Sequence, residues 1–167
     1  ICMIGSGYVG LVSGTCFAEL GNNVICVDNN INKISNLKKG LIPIYEPGLE
    51  ELIVRNLKQN RLQFSSNISN SIKKSDLIFI CVGTPTKINS KEANLKYVFQ
   101  VVKDIKKNLN KYKIIVTKST VPVTTGDKIQ KLLTTKSNKK LFEVVSNPEF
   151  LREGEAIRDF MFPDRVV

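Results

Sequence analysis

The chain has 167 residues and a net charge of +10, and 42% of its residues are hydrophobic and 24% charged, proportions that fit one globular domain and exclude a disordered segment. No apolar run reaches the ~20 residues of a membrane span, and the first residues lack the parts of a secretory signal, so we expect a cytoplasmic protein with no membrane partner. The lysines that supply the charge are dispersed rather than clustered with arginines or aromatic residues, which favours solvated helix faces over nucleic-acid binding.

The first strand and helix are joined by a glycine-rich turn. An apolar run from Ile1 to Ile4 precedes the sequence Gly-Ser-Gly-Tyr-Val-Gly at 5–10, and a helical pattern follows at once. In a G-x-G-x-x-G turn, Gly5 permits the sharp turn, Gly7 lets the backbone approach a pyrophosphate, and Gly10 lets helix and strand pack closely. The N–H groups at the start of the helix would bind the phosphates.

The second strand, 23–27, ends in Asp28, eighteen residues after Gly10. A carboxylate there accepts hydrogen bonds from a ribose 2′-OH and repels a 2′-phosphate, so the sequence predicts NAD rather than NADP. A helix over 29–39 follows and places Lys33 near this acid.

The remaining elements alternate in the same way. We predict helices over 49–57, 67–75, 94–108 and from 123 or 124 to 133, and strands over 61–65, 76–82, 113–117 and 141–145, with another strand beginning at Val166. This alternation predicts an α/β fold, a doubly wound parallel sheet of Rossmann type with strand order 3-2-1-4-5-6. The chain begins and ends inside predicted strands, so we expect a fragment of a longer protein.

Four of these strands end in small, polar or proline-containing turns, and we expect the turns to converge at the carboxyl edge of the sheet. Thr84 and Thr86 can offer hydroxyl and N–H groups to a dinucleotide, or Pro85 can mark a plain turn. Thr120 can donate to the nicotinamide or a reacting oxygen, or it can cap the next helix. If Pro148 opens a helical turn, Glu149 and Glu153 share one face, aimed into the crevice.

Cysteine and histidine usage limits the chemistry. Cys2, Cys16, Cys26 and Cys81 lie in apolar runs without metal-binding spacing, so we expect buried, reduced thiols and no metal site. The sequence contains no histidine, which excludes Ser-His and Cys-His pairs. Carboxylates, lysines, hydroxyls or water must therefore perform any acid–base step, and Glu149 is a candidate for a base that acts through water.

Six segments together resemble the N-terminal dinucleotide-binding domain of the UDP-glucose/GDP-mannose dehydrogenase family. They are GSGYVGLVSG, YEPGLEEL, VGTPT, KSTVPV, NPEFLREG and FPDRVV, in family order along 1–167. The resemblance implies a four-electron oxidation of the C6 alcohol of a nucleotide sugar to a carboxylate, with UDP-glucose as the expected substrate, using two NAD⁺ and one water.

The resemblance also implies residue roles. The residues expected to contact NAD are Gly5, Gly7, Tyr8, Val9, Gly10, Asp28, Lys33, Gly83, Thr84, Pro85, Ser119, Thr120 and Glu153. Glu149 resembles the glutamate that activates water, and Thr120 the hydroxyl that supports it. The residues expected to bind the sugar-phosphate end of the substrate are Glu149, Phe150, Leu151, Arg152 and Glu153.

Two departures from the family pattern qualify this interpretation. The nucleophilic cysteine, the central helix and the substrate domain belong to later parts of the family's chain, so we expect this segment alone to be inactive and homo-oligomers to form through that central region. After the KSTVPV segment the family often has glycine, whereas this chain has Thr124-Thr125-Gly126. The sequence therefore does not define the residue at which the following helix begins. The alternatives are a GDP-mannose or UDP-N-acetylhexosamine enzyme, a β-hydroxyacid dehydrogenase, and a non-catalytic NAD-binding or nucleic-acid-binding module.

Overall fold

Strands and helices alternate along the chain in the computed structural model, which describes residues 1–88, 90, 92–138 and 141–165. The strands in this part of the chain are β1 (Cys2–Ile4), β2 (Val24–Val27), β3 (Leu62–Ser65), β4 (Leu77–Ile80), β5 (Lys113–Thr117) and β6 (Phe142–Ser146). The helices are α1 (Tyr8–Glu19), α2 (Ile31–Lys38), α3 (Leu49–Lys58), α4 (Ile68–Lys74), α5 (Lys96–Asn108), α6 (Thr125–Leu133) and α7 (Ala156–Met161).

The strands form one parallel sheet in the order β3-β2-β1-β4-β5-β6, which confirms the predicted doubly wound order. β1 lies between β2 and β4, with Cys2 opposite Ile25 on one side and Ile78 on the other. Because the strands are parallel, their carboxyl ends lie at one edge of the sheet. The turns after β1, β4, β5 and β6 are therefore neighbours at that edge, as ligand binding in such sheets requires.

Each face of the sheet buries its own apolar layer, because successive side chains of a strand point to opposite faces. Met3 and Phe79 belong to the layer with α1, α3 and α7. Ile4 and Ile80 belong to the layer with α5 and α6. Burying each large side chain of this kind stabilises the fold by about 1.5–3 kcal/mol.

The predicted cysteine state is confirmed, since all four thiols are free and buried. Burial raises the pKa of Cys2 and of Cys81 to about 12. These thiols are therefore protonated at neutral pH and take part in packing rather than in nucleophilic chemistry.

A lysine is among the most deeply buried residues. Lys113, at the start of β5, is 0% exposed, and its ammonium donates to the carbonyl oxygen of Ser75 at 2.6 Å. Ser75 is the C-terminal cap of α4, so the lysine satisfies a carbonyl that the end of a helix leaves unpaired.

The predicted helical turn at Pro148 is wrong. Residues 147–152 form neither helix nor strand, because the Glu149 carboxylate accepts the backbone N–H of Leu151 at 2.7 Å in a local turn. The spacing of Glu149 and Glu153 therefore does not place them on one helix face. Helix starts again only at Ala156, in α7, which the sequence pattern did not predict. The strand expected at Val166 lies outside the described residues.

Candidate dinucleotide-binding site

The turn after β1 needs glycine at two positions for packing. Gly5 has φ +103, and a Cβ there would lie 2.7 Å from the carbonyl oxygen of Cys81. A Cβ on Gly10 would overlap the carbonyl oxygen of Gly5. Both residues are therefore required for the first turn of α1 to pack against the ends of β1 and β4.

Gly7 differs from these two glycines, because a Cβ there would meet no atom of the described residues within 4 Å. It is the N-cap of α1, and within the part of the chain that the structure describes no side chain caps this helix end. The first turn of α1 contains no acidic residue. The N–H groups at Gly7, Tyr8 and Val9 therefore lie at an open, positively polarised helix terminus, which is the arrangement that binds a phosphate group.

Asp28 lies beside this turn and is held by three donors. Its Oδ2 accepts the backbone N–H of Ser6 at 3.1 Å and the ammonium of Lys33 at 2.7 Å, and its Oδ1 accepts the N–H of Asn30 at 3.0 Å. Burial alone would raise the pKa of Asp28, but Lys33 and the two N–H groups hold it below its usual value. The acid is therefore an ionised acceptor fixed to the glycine turn.

A cavity of about 500 Å³ opens between the glycine turn and α5, within the size range of small-molecule sites. Its wall includes Gly7, Asp28 and Lys33 on one side and Tyr97 and Gln100 on the other. The sequence prediction missed Tyr97 and Gln100, which are two of the four α5 residues that line the cavity. The signal available was a tyrosine and a glutamine three residues apart on a polar helix face, a pattern also typical of a solvated face.

The turns after β4 and β5 are linked to each other. The Thr84 hydroxyl donates to the carbonyl oxygen of Thr120 at 3.0 Å. The buried Ser119 hydroxyl donates to the carbonyl oxygen of Val82 at 2.7 Å. Thr120 is exposed and does not cap α6, whose N-cap is Thr124. The alternative of a capping role for Thr120 is therefore wrong. Gly83 lines the cavity, and Pro85 lies in the described turn after β4.

The residues after β6 that were predicted to bind the substrate differ in their exposure to solvent. Glu149 is half-buried and Glu153 is exposed. Phe150 is 80% exposed, and Leu151 is half-buried. The guanidinium of Arg152 forms an ion pair of 2.6 Å with Asp159, which lowers the pKa of Asp159 to about 2.

A buried lysine lies beneath this segment. The ammonium of Lys118 donates to Oδ1 of Asn147 at 3.4 Å and lies 5.9 Å from the centre of the Phe160 ring. Burial lowers its pKa, and the nearby Glu149 carboxylate opposes that shift. The lysine therefore links the turn after β5 to the start of the segment after β6.

The sequence prediction missed a carboxylate that joins three parts of the chain. Glu46 is only 6% exposed. It accepts the Tyr8 hydroxyl and the backbone N–H groups of Gly154 and Ala156, each at 2.8 Å. Its place in the sequence Tyr-Glu-Pro-Gly indicated only a turn, because the donors lie 108 and 110 residues away.

A protein-family model described as the UDP-glucose/GDP-mannose dehydrogenase family, NAD binding domain, matches residues 1–167. The chain belongs to this family. Its glycine turn, its ionised Asp28 and the cavity beside them fit the NAD-binding domain that the family model describes. None of the helices in the described ranges combines the length and the apolar character of a membrane crossing.

Relatives in this family match the whole chain. The UDP-glucose 6-dehydrogenase of Rhizobium meliloti (strain 1021) is 50% identical over 167 residues. The UDP-glucose 6-dehydrogenase TuaD of Bacillus subtilis (strain 168) is 54% identical over 168 residues. In both comparisons all of this chain is matched, but it spans only 38% and 36% of the respective relative.

Solved structures of the family have the same fold. A UDP-glucose dehydrogenase from the archaeon Pyrobaculum islandicum superposes with a TM-score of 0.91 at 37% identity, covering 98% of this chain and 38% of that one. A ternary complex of GDP-mannose dehydrogenase from Pseudomonas aeruginosa gives a TM-score of 0.89 at 36% identity, covering 97% and 38%. The Rossmann architecture predicted from the sequence is thus confirmed within this family.

Proposed function

We propose that the chain is the cofactor domain of an NAD-dependent dehydrogenase that oxidises C6 of UDP-glucose to give UDP-glucuronate. The observation that carries the proposal is one cavity bordered both by an open, uncapped helix terminus and by an ionised aspartate. Relatives about half identical to this chain are named UDP-glucose 6-dehydrogenase, which supports this substrate.

In this proposal each group of residues contacts one part of NAD. The N–H groups of Gly7, Tyr8 and Val9 would bind the pyrophosphate, with Gly5 and Gly10 shaping the turn. Asp28 would accept the adenosine ribose hydroxyls while Lys33 keeps it ionised. Further contacts are proposed for Gly83, Thr84, Pro85, Ser119, Thr120 and Glu153.

The proposed reaction balances as R–CH₂OH + 2 NAD⁺ + H₂O → R–COO⁻ + 2 NADH + 3 H⁺. Each bound NAD⁺ supplies the hydride acceptor for one two-electron oxidation. After the first oxidation a cysteine from the rest of the protein would add to the aldehyde carbon to give a thiohemiacetal, and the second oxidation would convert this adduct to a thioester. Water would then release the acid and return the thiol.

Glu149 is the proposed base for that water. Its carboxylate is half-buried and fixed by the N–H of Leu151 at 2.7 Å, so one oxygen is oriented while the other can accept a proton. Thr120 is exposed at the neighbouring turn and would support the water with its hydroxyl. The segment Phe150, Leu151, Arg152 and Glu153 would bind the sugar-phosphate end of the substrate.

The direct test uses the full-length protein that contains this chain. With UDP-glucose in limiting amount, we expect two NADH per sugar and one UDP-glucuronate. We expect Glu149→Gln to reduce steady-state turnover by about 100-fold and to accumulate a covalent enzyme–sugar species visible by intact mass. An unchanged rate of thioester hydrolysis would remove Glu149 from this role.

A second candidate substrate class is another nucleotide sugar. The GDP-mannose dehydrogenase of Pseudomonas aeruginosa superposes almost as well as the UDP-glucose enzyme, so the cofactor domain does not discriminate between them. Parallel assays with UDP-glucose, GDP-mannose and UDP-N-acetylmannosamine would separate these. NAD⁺ binding without oxidation of any of them would instead indicate a non-catalytic NAD-binding module.

We also propose that the enzyme is cytoplasmic and forms a homodimer or a higher homo-oligomer through the region that follows this domain in its relatives. Light scattering on the full-length protein measures the assembly, and cell fractionation measures the location. The net charge of +10 makes a nucleic-acid control useful. We expect that no salt-dependent binding of DNA persists in the presence of NAD.

A further inference from the structure

Glu46 is a buried charge with an unusual set of partners. Its Oε1 accepts the N–H groups of Ala156 at 2.8 Å and Ile157 at 3.4 Å. Its Oε2 accepts the N–H of Gly154 at 2.8 Å and the hydroxyl of Tyr8. Three of its four donors therefore come from the short stretch where α7 begins.

The carboxylate depends on these donors. None of the ion pairs among the residues that the structure describes includes Glu46. Burial would raise its pKa, but the Tyr8 hydroxyl and the N–H groups lower it, so the group is ionised at neutral pH. A buried carboxylate is tolerated only when hydrogen bonds replace its water, which ties Glu46 to this one arrangement.

The residues proposed for catalysis and substrate binding, 149–153, immediately precede the N–H groups that Glu46 accepts. Residues 147–155 lie between β6 and α7 without helix or strand. The start of this stretch is held by hydrogen bonds of Asn147 to Thr117 and Lys118. For residues 148–157, the described hydrogen bonds to sequence-distant parts of the chain all end on Glu46 or Tyr8. The remaining ones are local, such as those between Arg152 and Asp159.

Tyr8 connects the same carboxylate to the cofactor site. It is the first residue of α1, so its backbone lies in the turn that would bind the pyrophosphate, while its hydroxyl donates to Glu46 and lies 3.5 Å from the carbonyl oxygen of Arg152. The glycine turn and the segment carrying Glu149 and Glu153 are therefore fixed against each other through one carboxylate.

We propose that Glu46 is a positioning residue for the proposed oxidation, holding the 149–154 segment in register with the glycine turn so that Glu149 and Glu153 reach the cofactor and the sugar. This inference rests on the proposed function. Glu46 itself is buried, and its described hydrogen bonds all go to groups of the protein. Its contribution is the geometry of the groups proposed to contact the reactants, and a small misplacement of such groups costs much of the rate.

The experiment compares three variants of the full-length enzyme. Glu46→Gln keeps the shape of the side chain but replaces one accepting carboxylate oxygen by an amide NH₂, which faces N–H or O–H donors and cannot accept from them. Tyr8→Phe keeps the carboxylate and its three N–H bonds and removes only the link to the turn. Glu50→Gln is the matched control, an exposed glutamate four residues further along the chain. The readouts are kcat, KM for the nucleotide sugar, Kd for NADH by fluorescence, and hydrogen exchange of peptides covering 149–157.

We expect Glu46→Gln to lower kcat about 10- to 100-fold, to change the Kd for NADH less than about threefold, and to speed exchange over 149–157. Tyr8→Phe should give a smaller loss in kcat, and Glu50→Gln should match the wild type. A purely structural role would lower the melting temperature and leave kcat below that temperature unchanged, and this result would overturn the proposal.

Two further outcomes are decisive. If Glu46→Gln does not fold, Tyr8→Phe decides: wild-type kcat and exchange in that variant overturn the proposal, and a lower kcat with faster exchange over 149–157 supports it. If the wild-type enzyme oxidises no nucleotide sugar, the proposed function fails, and exchange over 149–157 still reports separately whether Glu46 holds the segment.

Discussion

The corner formed by the glycine turn and Asp28 differs from the segment between β6 and α7 in how the chain specifies it. In the corner, Gly5, Ser6 and Asp28 are set by short elements and by hydrogen bonds between neighbouring strands, such as Gly5 N–H to the Val27 carbonyl at 2.8 Å. The segment after β6 has no regular structure and depends on Glu46, more than a hundred residues earlier.

This difference separates two kinds of preorganisation. The first is local, because the glycine turn is assembled as soon as β1, α1 and β2 pack. Its geometry follows from small residues and from strand pairing between segments that are close in sequence. The second depends on long-range contacts, so its accuracy is linked to the packing of the whole domain. Substitutions in the corner should therefore affect the fold or NAD directly, whereas those around Glu46 should affect the chemistry.

The largest effect is expected in the corner for Gly10→Ala. The new methyl would overlap the Gly5 carbonyl oxygen, and backbone cannot move aside as a side chain can, so we expect the free energy of unfolding to fall by about 3 kcal/mol or more. Denaturant titration of the full-length protein, followed by NADH binding, measures this loss. Wild-type stability in Gly10→Ala would contradict the close helix–strand contact.

Asp28→Ala should have the next largest effect, on cofactor choice. Removing the ionised acceptor should weaken NAD⁺ about 10- to 100-fold, since a hydrogen bond to a charged group contributes roughly 1.5–3 kcal/mol. NADP⁺ should lose nothing, because Lys33 is then free to face its 2′-phosphate. Asp76→Asn, at the opposite edge of the sheet, is the control. Equal binding of both cofactors by the wild type would refute the ribose role.

Gly7→Ala should separate cofactor binding from stability within the same turn. A methyl at Gly7 meets no atom within 4 Å, and its extended backbone, with φ −77 and ψ −169, accepts alanine, so stability should change by less than about 0.5 kcal/mol. NAD⁺ affinity should fall about tenfold, because the methyl occupies the approach of the pyrophosphate. Isothermal titration calorimetry measures the NAD⁺ affinity of Gly7→Ala and of Gly10→Ala for comparison. An unaltered NAD⁺ affinity in Gly7→Ala would indicate that the phosphates bind elsewhere.

The smallest effect concerns pH. Because the pKa of Asp28 is lowered in the folded state, its contribution to stability is present above its unfolded pKa and is lost as pH falls through the folded value. The lowered pKa also keeps Asp28 ionised as the acceptor of the ribose hydroxyls, so NAD⁺ affinity should stay within about twofold from about pH 8 to about pH 5. In Lys33→Ala the pKa of Asp28 rises and the fall in affinity moves to higher pH. A wild-type affinity that declines already near neutral pH would contradict an ionised Asp28.

The parts of the fold that the sequence predicted well are those with local signals. Apolar runs at strand length and the glycine turn predicted the strand order, and Asp28 followed from its place at the end of β2. Glu46 could not be found this way, because a carboxylate in a turn is ordinarily exposed and its donors are distant in sequence. Tyr97 and Gln100 were missed because a polar helix face gives the same pattern whether it borders solvent or a cavity.

The segment around Pro148 was mispredicted for a related reason. A proline followed by Glu149 and Glu153 has the pattern of a helix start, but the Glu149 carboxylate competes for a local N–H and ends that possibility. Only the tertiary structure shows which donor each carboxylate takes.

Burial of Lys113 has a consequence for covalent labelling. Amine-reactive reagents modify lysines that water can reach, so the exposed lysines of this chain should react quickly. Lys113 is 0% exposed and donates to the Ser75 carbonyl oxygen, so its modification requires β5 to separate from α4. Tracking acylation of this one site by mass spectrometry would time the separation of β5 from α4, with the exposed lysines as internal references.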